Sequence, residues 1–134
     1  IPQLLSNTRN EDLIWNDIID LKPISQFAFG QTLLIGDAAH ATTPNLGQGA
    51  CQAIEDAVVL ADELMKNNTP LAAFQAFERR RMPRTRLIVE RSHALGKIAQ
   101  WQNPLLAAAR NTLMRLLPDS LNERQMRNLF EVDF

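Results

Sequence analysis

The sequence predicts a mainly helical chain with two short strands, part of an α/β architecture that these residues alone do not complete. Three observations carry that expectation. Apolar residues recur at three- and four-residue spacing over most of residues 50–117, and only two stretches near the start have strand character. Two strands are too few for a stable sheet, so they must pair with strands outside this chain or pack on its helices.

Residues 13–21 (LIWNDIIDL) are rich in β-branched side chains and roughly alternate, with Trp15, Asp17, Ile19 and Leu21 on one side, which predicts a half-exposed strand ended by Lys22-Pro23. Phe27-Ala28-Phe29-Gly30 leads through a turn into Thr32-Leu33-Leu34-Ile35, an apolar run that suits a strand buried on both faces. Gly36-Asp37 stops it. Residues 37–45 (DAAHATTPN) are small, polar and interrupted by proline, and read as a loop on its way to a helix. That helix follows to about Asn67-Asn68. Ala50, Ala53, Ile54, Ala57, Val58, Ala61, Leu64 and Met65 form its apolar face, and Glu55, Asp62, Glu63 and Lys66 its polar one.

Thr69-Pro70 is an N-cap and first-turn pair for the next helix, which places Leu71, Phe74 and Phe77 on one face. Pro83 is expected to kink or break it near Arg81. The helical pattern resumes through Ile88, Ser92, Leu95 and Ala99 to Trp101. Asn103-Pro104 repeats the cap-and-proline signal before a helix over 105–117, and Ser120 with Glu123 forms a capping box for a last short helix to about Phe130. The expected organisation is a sheet-end and returning strand at 1–36, a ligand-contact loop and long helix at 37–66, and a helical region at 67–134.

With 134 residues, 46% hydrophobic and 22% charged, the chain has the composition of one globular unit rather than a disordered segment. No apolar run approaches the roughly 18 residues of a membrane span. One cysteine, Cys51, excludes an internal disulfide framework, and two histidines beside it are too few soft ligands for a structural zinc site. A reducing, cytoplasmic setting is expected. The start at Ile1-Pro2-Gln3 reads as an internal cut of a longer chain.

The net charge of −1 hides an asymmetry: residues 1–70 carry three Lys/Arg and nine Asp/Glu, and residues 71–134 carry eleven and six. Arg79, Arg80, Arg81, Arg84, Arg86, Arg91 and Lys97 supply most of the basic excess, with Glu90 opposing them. Such a stretch suits either a nucleic-acid or acidic partner, or a helix whose arginines are solvated or paired with acids elsewhere in the fold. The second reading is preferred, and no nucleic-acid partner is expected.

Residues 33–64 hold the chemistry: a strand, then Gly36-Asp37, a loop containing Gly47 and Gly49, and the start of a long helix. Glycines let the backbone approach a ligand closely, and the unpaired N–H groups of a first helical turn favour negative charge. Asp37, at a strand's carboxyl end, is placed to accept hydrogen bonds from the hydroxyls of a sugar or polyol. Taken singly, each element has a plainer account. Gly36-Asp37 suits an ordinary strand-ending turn, His40 a capping or loop residue, and Cys51 a small packed side chain.

Together, Gly36-Asp37-Ala38-Ala39-His40, Pro44, Gly47-Gln48-Gly49 and Glu55-Asp56-Ala57 resemble the second flavin-contact motif of the FAD-dependent aromatic-ring hydroxylases, the single-component flavoprotein monooxygenases. Phe77-Glu78-Arg79-Arg80-Arg81, Pro83-Arg84, Ser92 and Gln100-Trp101-Gln102-Asn103-Pro104 look like the branch holding the salicylate, 3-hydroxybenzoate and urate hydroxylases and zeaxanthin epoxidase. Residues 16–23 resemble the last strand region of that family's substrate domain. The fold so implied is the C-terminal part of an α/β, Rossmann-like FAD-binding monooxygenase, incomplete without its N-terminal segment.

The resemblance implies roles for matching residues. Asp37 would bond a ribityl hydroxyl of FAD, with Gly36 turning the chain and the Ala38 backbone near the pyrophosphate. Pro44 would lie against the flavin's reactive side, and Leu46, Gly47, Gln48 and Gly49 would lead the backbone under the ring's pyrimidine edge. N–H groups around Gly49, Ala50 and Cys51 would meet the N1 and C2-carbonyl region. Many relatives carry Asn where this chain has Cys51, so only a main-chain contact carries over there. The family's N-terminal Gly-x-Gly-x-x-Gly unit for the ADP moiety does not occur in these residues. The implied activity is NAD(P)H- and O2-dependent hydroxylation of a small aromatic substrate, with no catalytic side chain from these residues, no metal, and a possible homodimer. The alternatives are a non-catalytic helical interaction module built on the basic helix, and an FAD-dependent epoxidase or dehydrogenase.

Overall fold

The structure is a computed structural model that describes residues 2–118 together with 127 and 129. The capping box at Ser120 and Glu123, and the helix expected after it, lie outside the described residues. Helix α1 (Pro2–Asn7) and a 3-10 turn (Asn10–Asp12) come first. Residues 13–24 follow with no regular structure, which corrects the strand expected at 13–21. Among the described residues no strand runs beside this segment, so its alternating pattern has no ladder to join and leaves Ile14 and Trp15 86% and 91% exposed. It is tethered instead at two points, Leu21 N–H to the Ala41 carbonyl (2.9 Å) and Asp20 to His93 Nδ1 (2.8 Å).

The first strand is rather β1 (Ala28–Phe29), which turns through Gly30 at φ +60° into β2 (Thr32–Leu33) as an antiparallel hairpin. Ala28 faces Leu33, and Phe29 faces Thr32. Two strands cannot cover both faces of one another, so Ile35 is exposed rather than buried as expected. Glu78 Oε2 accepts the N–H groups of Phe27 (2.5 Å) and Ala28 (2.8 Å), which fixes the hairpin to the longest helix.

Four α-helices and a 3-10 turn follow among the described residues. Helix α2 (Asp37–His40) and a 3-10 turn (Pro44–Leu46) occupy the segment expected to be loop. Helix α3 (Gly49–Lys66) ends at Asn67. Helix α4 (Pro70–Ala99) is capped by Thr69, whose hydroxyl accepts from Ala72 N–H, and α5 (Pro104–Leu116) by Asn103, whose side chain accepts from Leu105 and Leu106 N–H, as the two cap-and-proline signals predict. Pro83 does not break α4, which is continuous across it. Arg79 and Pro83 are both on the exposed side, so the carbonyl that loses its helical donor can turn to water.

The largest departure from expectation is the orientation of α3. Its apolar stripe was expected inside, yet Ile54, Val58, Leu64 and Met65 are exposed while Gln52, Glu55, Asp56, Val59 and Glu63 are buried against α4. The cause lies in the facing helix. Arg80, Arg81 and Arg84 of α4 meet the acidic side of α3, with Arg80 on Asp62 and Glu63, and Arg81 and Arg84 on Glu55. The apolar core is correspondingly small: Phe27, Ala39, Val59 and Phe77, with Ile24, Leu33, Leu34, Leu60 and Met82 packed on it. An accessible surface of 10254 Å² exceeds the roughly 7,100 Å² expected of a compact monomer of this mass.

Candidate functional site

The segment from Gly36 to Gly49 holds two of the positive-φ glycines among the described residues, Gly36 and Gly47. Gly36 adopts φ +57° and ψ −142°, a conformation open almost only to glycine, and a Cβ there would stand 3.4 Å from that of Ala53. Its N–H donates to Asp56 Oδ2 (2.8 Å) and its carbonyl accepts from Ala39 (2.9 Å) and His40 (3.0 Å). The turn therefore lies on the side of α3 and starts α2. Asp37 and Ala38 face outward and are exposed, while Ala39 and His40 point in.

The second half of the loop is held by α4. Ser92 Oγ donates to the Thr43 carbonyl (2.7 Å), and Asn45 Nδ2 donates to the Ser92 carbonyl (3.2 Å). Pro44 is exposed and Leu46 half-buried on the 3-10 turn, which Gly47 closes in the left-handed region at φ +63°. Gln48 is buried, and its carbonyl accepts the first helical bond of α3 from Gln52 N–H (2.9 Å). The N–H groups of Gly49, Ala50 and Cys51 thus precede the helical ladder. A Cβ on Gly49 would make an ordinary van der Waals contact with the Thr42 methyl at 3.9 Å, and Gly47, Ala50 and Cys51 are exposed around the helix start. Cys51 is exposed, which corrects the packed residue expected there. It lies three and seven residues before Ile54 and Val58, on the side of α3 that the ion pairs turn outward.

Beneath the loop is a polar cluster in which every carboxylate is matched. Asp56 is fully buried: Oδ2 receives Gly36 N–H and His40 Nε2 (2.6 Å), and Oδ1 receives Arg81 Nε (2.7 Å). Glu55 takes Arg81 Nη1 and Arg84 Nε, both at 2.6 Å, and Gln52 Nε2 at 3.0 Å. Burial opposes ionisation of Asp56, but the bonds from His40, Gly36 N–H and Arg81 outweigh it and hold its carboxyl below the ordinary value. Glu55 is likewise held low, Arg84 and Arg81 overcoming its burial. His40 and Arg81 have no site role in the sequence reading. The acidic excess before residue 70 and the basic excess after it signalled this pairing of helices, but no periodicity reveals a contact between His40 and Asp56 across a turn.

The donor set suits an electron-rich ligand with hydroxyl groups. Three N–H groups at the helix start donate, the exposed carboxylate of Asp37 accepts, and glycines stand at the two bends. Among the described residues, Thr42 Oγ1 is the buried side-chain atom left without a hydrogen-bond partner, and its methyl group adjoins Gly49. No described helix is long and apolar enough to cross a membrane.

The chain is similar in sequence and fold to known proteins. The FAD binding domain family matches residues 14–92. Aurachin C monooxygenase/isomerase of Stigmatella aurantiaca is 43% identical over 130 residues, which are 96% of this chain and 34% of that protein. The 2-heptyl-3-hydroxy-4(1H)-quinolone synthase of Pseudomonas aeruginosa is 41% identical over 118 residues, 88% of this chain and 30% of that protein. A crystal structure of a variant of Klebsiella pneumoniae HpxO complexed with FAD aligns with a TM-score of 0.86 and 29% identity, over 96% of this chain and 34% of that one. The chain spans about a third of the length of these relatives. The family match takes in more than half of its residues, and the chain belongs to the FAD binding domain family.

Proposed function

We propose that this chain is the flavin-side portion of an FAD-dependent monooxygenase that acts on an aromatic or related electron-rich small molecule. The observation that carries this reading is the joining of the Gly36-Asp37 turn and the open start of α3 through Asp56 and Ala53, in a chain of a family named for binding FAD. FAD, when bound, takes electrons from NAD(P)H and supplies the chemistry that puts one oxygen atom of O2 into the substrate.

The residues of this chain bind and orient. Asp37 would accept a hydrogen bond from a ribityl hydroxyl, and the Ala38 backbone would stand near the pyrophosphate. Pro44 would lie against the flavin, and residues 46–49 would bring the backbone to its pyrimidine edge. The N–H groups of Gly49, Ala50 and Cys51 would hold the N1 and C2-carbonyl edge and favour negative charge there. There the α3 dipole contributes about 1 kcal/mol. None of this requires a proton to move to or from a side chain of this chain. The hydroxyquinolone named in one relative puts nitrogen heteroaromatics among the first substrates to test.

The test uses the full-length protein. It should purify yellow, oxidise NAD(P)H faster when substrate is added, and incorporate label from isotopic O2 into the product. Asp37→Ala should weaken FAD binding by tenfold or more. A colourless protein indifferent to FAD would overturn the proposal, and product without labelled oxygen would replace oxygenation by dehydrogenation.

A further inference from the structure

The buried cluster below the loop has no counterpart in the roles assigned so far, and it reaches the proposed ligand-contact residues at Gly36 and, through Gln52, at Gln48. Asp56 Oδ2 is shared between Gly36 N–H and His40 Nε2, so one oxygen holds both the first residue of the turn and the last residue of α2. Asp37 and Ala38 lie between those two anchors. The other oxygen is held by Arg81 on α4, and Asp56 is itself a residue of α3. The anchors thus lock the turn that presents Asp37 onto the helix whose first N–H groups form the rest of the site.

We propose that His40 is a positioning residue for the flavin: through Asp56 it fixes the Gly36-Asp37 turn against α3, so that the carboxylate of Asp37 and the helix start meet the cofactor as one preorganised unit. This rests on the function proposed above and deepens it. His40 need not touch the cofactor, since its Nε2 is directed at Asp56 and its ring packs toward Phe27, 6.1 Å between centroids. Without the His40 donor, Asp56 keeps Arg81 and Gly36 N–H but α2 loses its inner anchor. The turn must then be ordered at the moment of binding, and affinity falls by that ordering cost.

The experiment compares three variants of the full-length protein. His40→Leu removes the donor. His40→Gln returns an N–H near the position of Nε2. Arg80→Ala breaks the exposed end of the α3–α4 ion pairs, where Arg80 meets Asp62 and Glu63 far along the helix from the turn. FAD dissociation constants and hydrogen exchange at the Gly36, Ala39 and His40 amides of the FAD-free protein are measured, with unfolding midpoints alongside. His40→Leu should weaken FAD at least tenfold and speed exchange at those amides. His40→Gln should recover to within about threefold of the wild type, and Arg80→Ala should lower the midpoint with FAD affinity unchanged. Equal FAD affinity in wild type and His40→Leu, or a loss in Arg80→Ala matching that in His40→Leu, overturns the positioning role while leaving the flavin reading intact. A wild-type protein that does not bind FAD overturns both.

Discussion

Asp56 and Glu55 show how a buried carboxylate is made tolerable. Each is desolvated, and each is met by cationic or N–H donors strong enough to keep it ionised below its ordinary value. The consequence for stability has a definite sign. Between the depressed native values and the ordinary value near 4, the unfolded chain takes up protons that the native state refuses, so acid favours unfolding. Denaturant unfolding is expected to give a near-constant stability from pH 7 to about pH 5 and a progressive loss as pH falls through the native values below about 4. A loss complete above pH 5 would show that these two carboxylates are not the linkage. Gly36 is constrained by its backbone: φ +57° with ψ −142° strains any residue with a side chain, although the Ala53 Cβ 3.4 Å from a built Cβ would be only an ordinary contact.

Among the elements, α4 sets the orientation of its neighbours. Its arginines draw in the acidic side of α3, its Glu78 closes the edge of the hairpin, and its Ser92 holds the loop before α3. A proline in such a helix is a local cost, and here α4 runs through Pro83 with Arg81 and Arg84 on either side both tied to Glu55. Pro83→Ala restores an N–H for the Arg79 carbonyl and is expected to raise stability, by up to about 3 kcal/mol. A higher denaturation midpoint with an unchanged m-value would bear this out. A lower midpoint would mean that Pro83 packs in a way its exposed position does not reveal.

Over the whole molecule, residues 1–134 lack the Gly-x-Gly-x-x-Gly unit that holds the ADP moiety in the family they resemble, and on the proposed function they provide only one side of the cofactor site. Titrating FAD into this chain alone should therefore leave the flavin's visible spectrum unshifted at micromolar concentrations, and a tight, spectrum-shifting complex would refute that. Sequence by itself determined the local features: the caps at Thr69 and Asn103, the extent of α3, the glycine bends, and the ordered motif that marks the family. These depend on neighbours within a few residues, where steric limits and capping bonds act. Tertiary structure alone decided which face of α3 is buried, whether residues 13–21 form a strand, and that His40 meets Asp56. A hydrophobic stripe shows that a helix has two unlike sides, but three arginines on α4 pull the acidic side inward, and a strand exists only where another backbone supplies its hydrogen bonds.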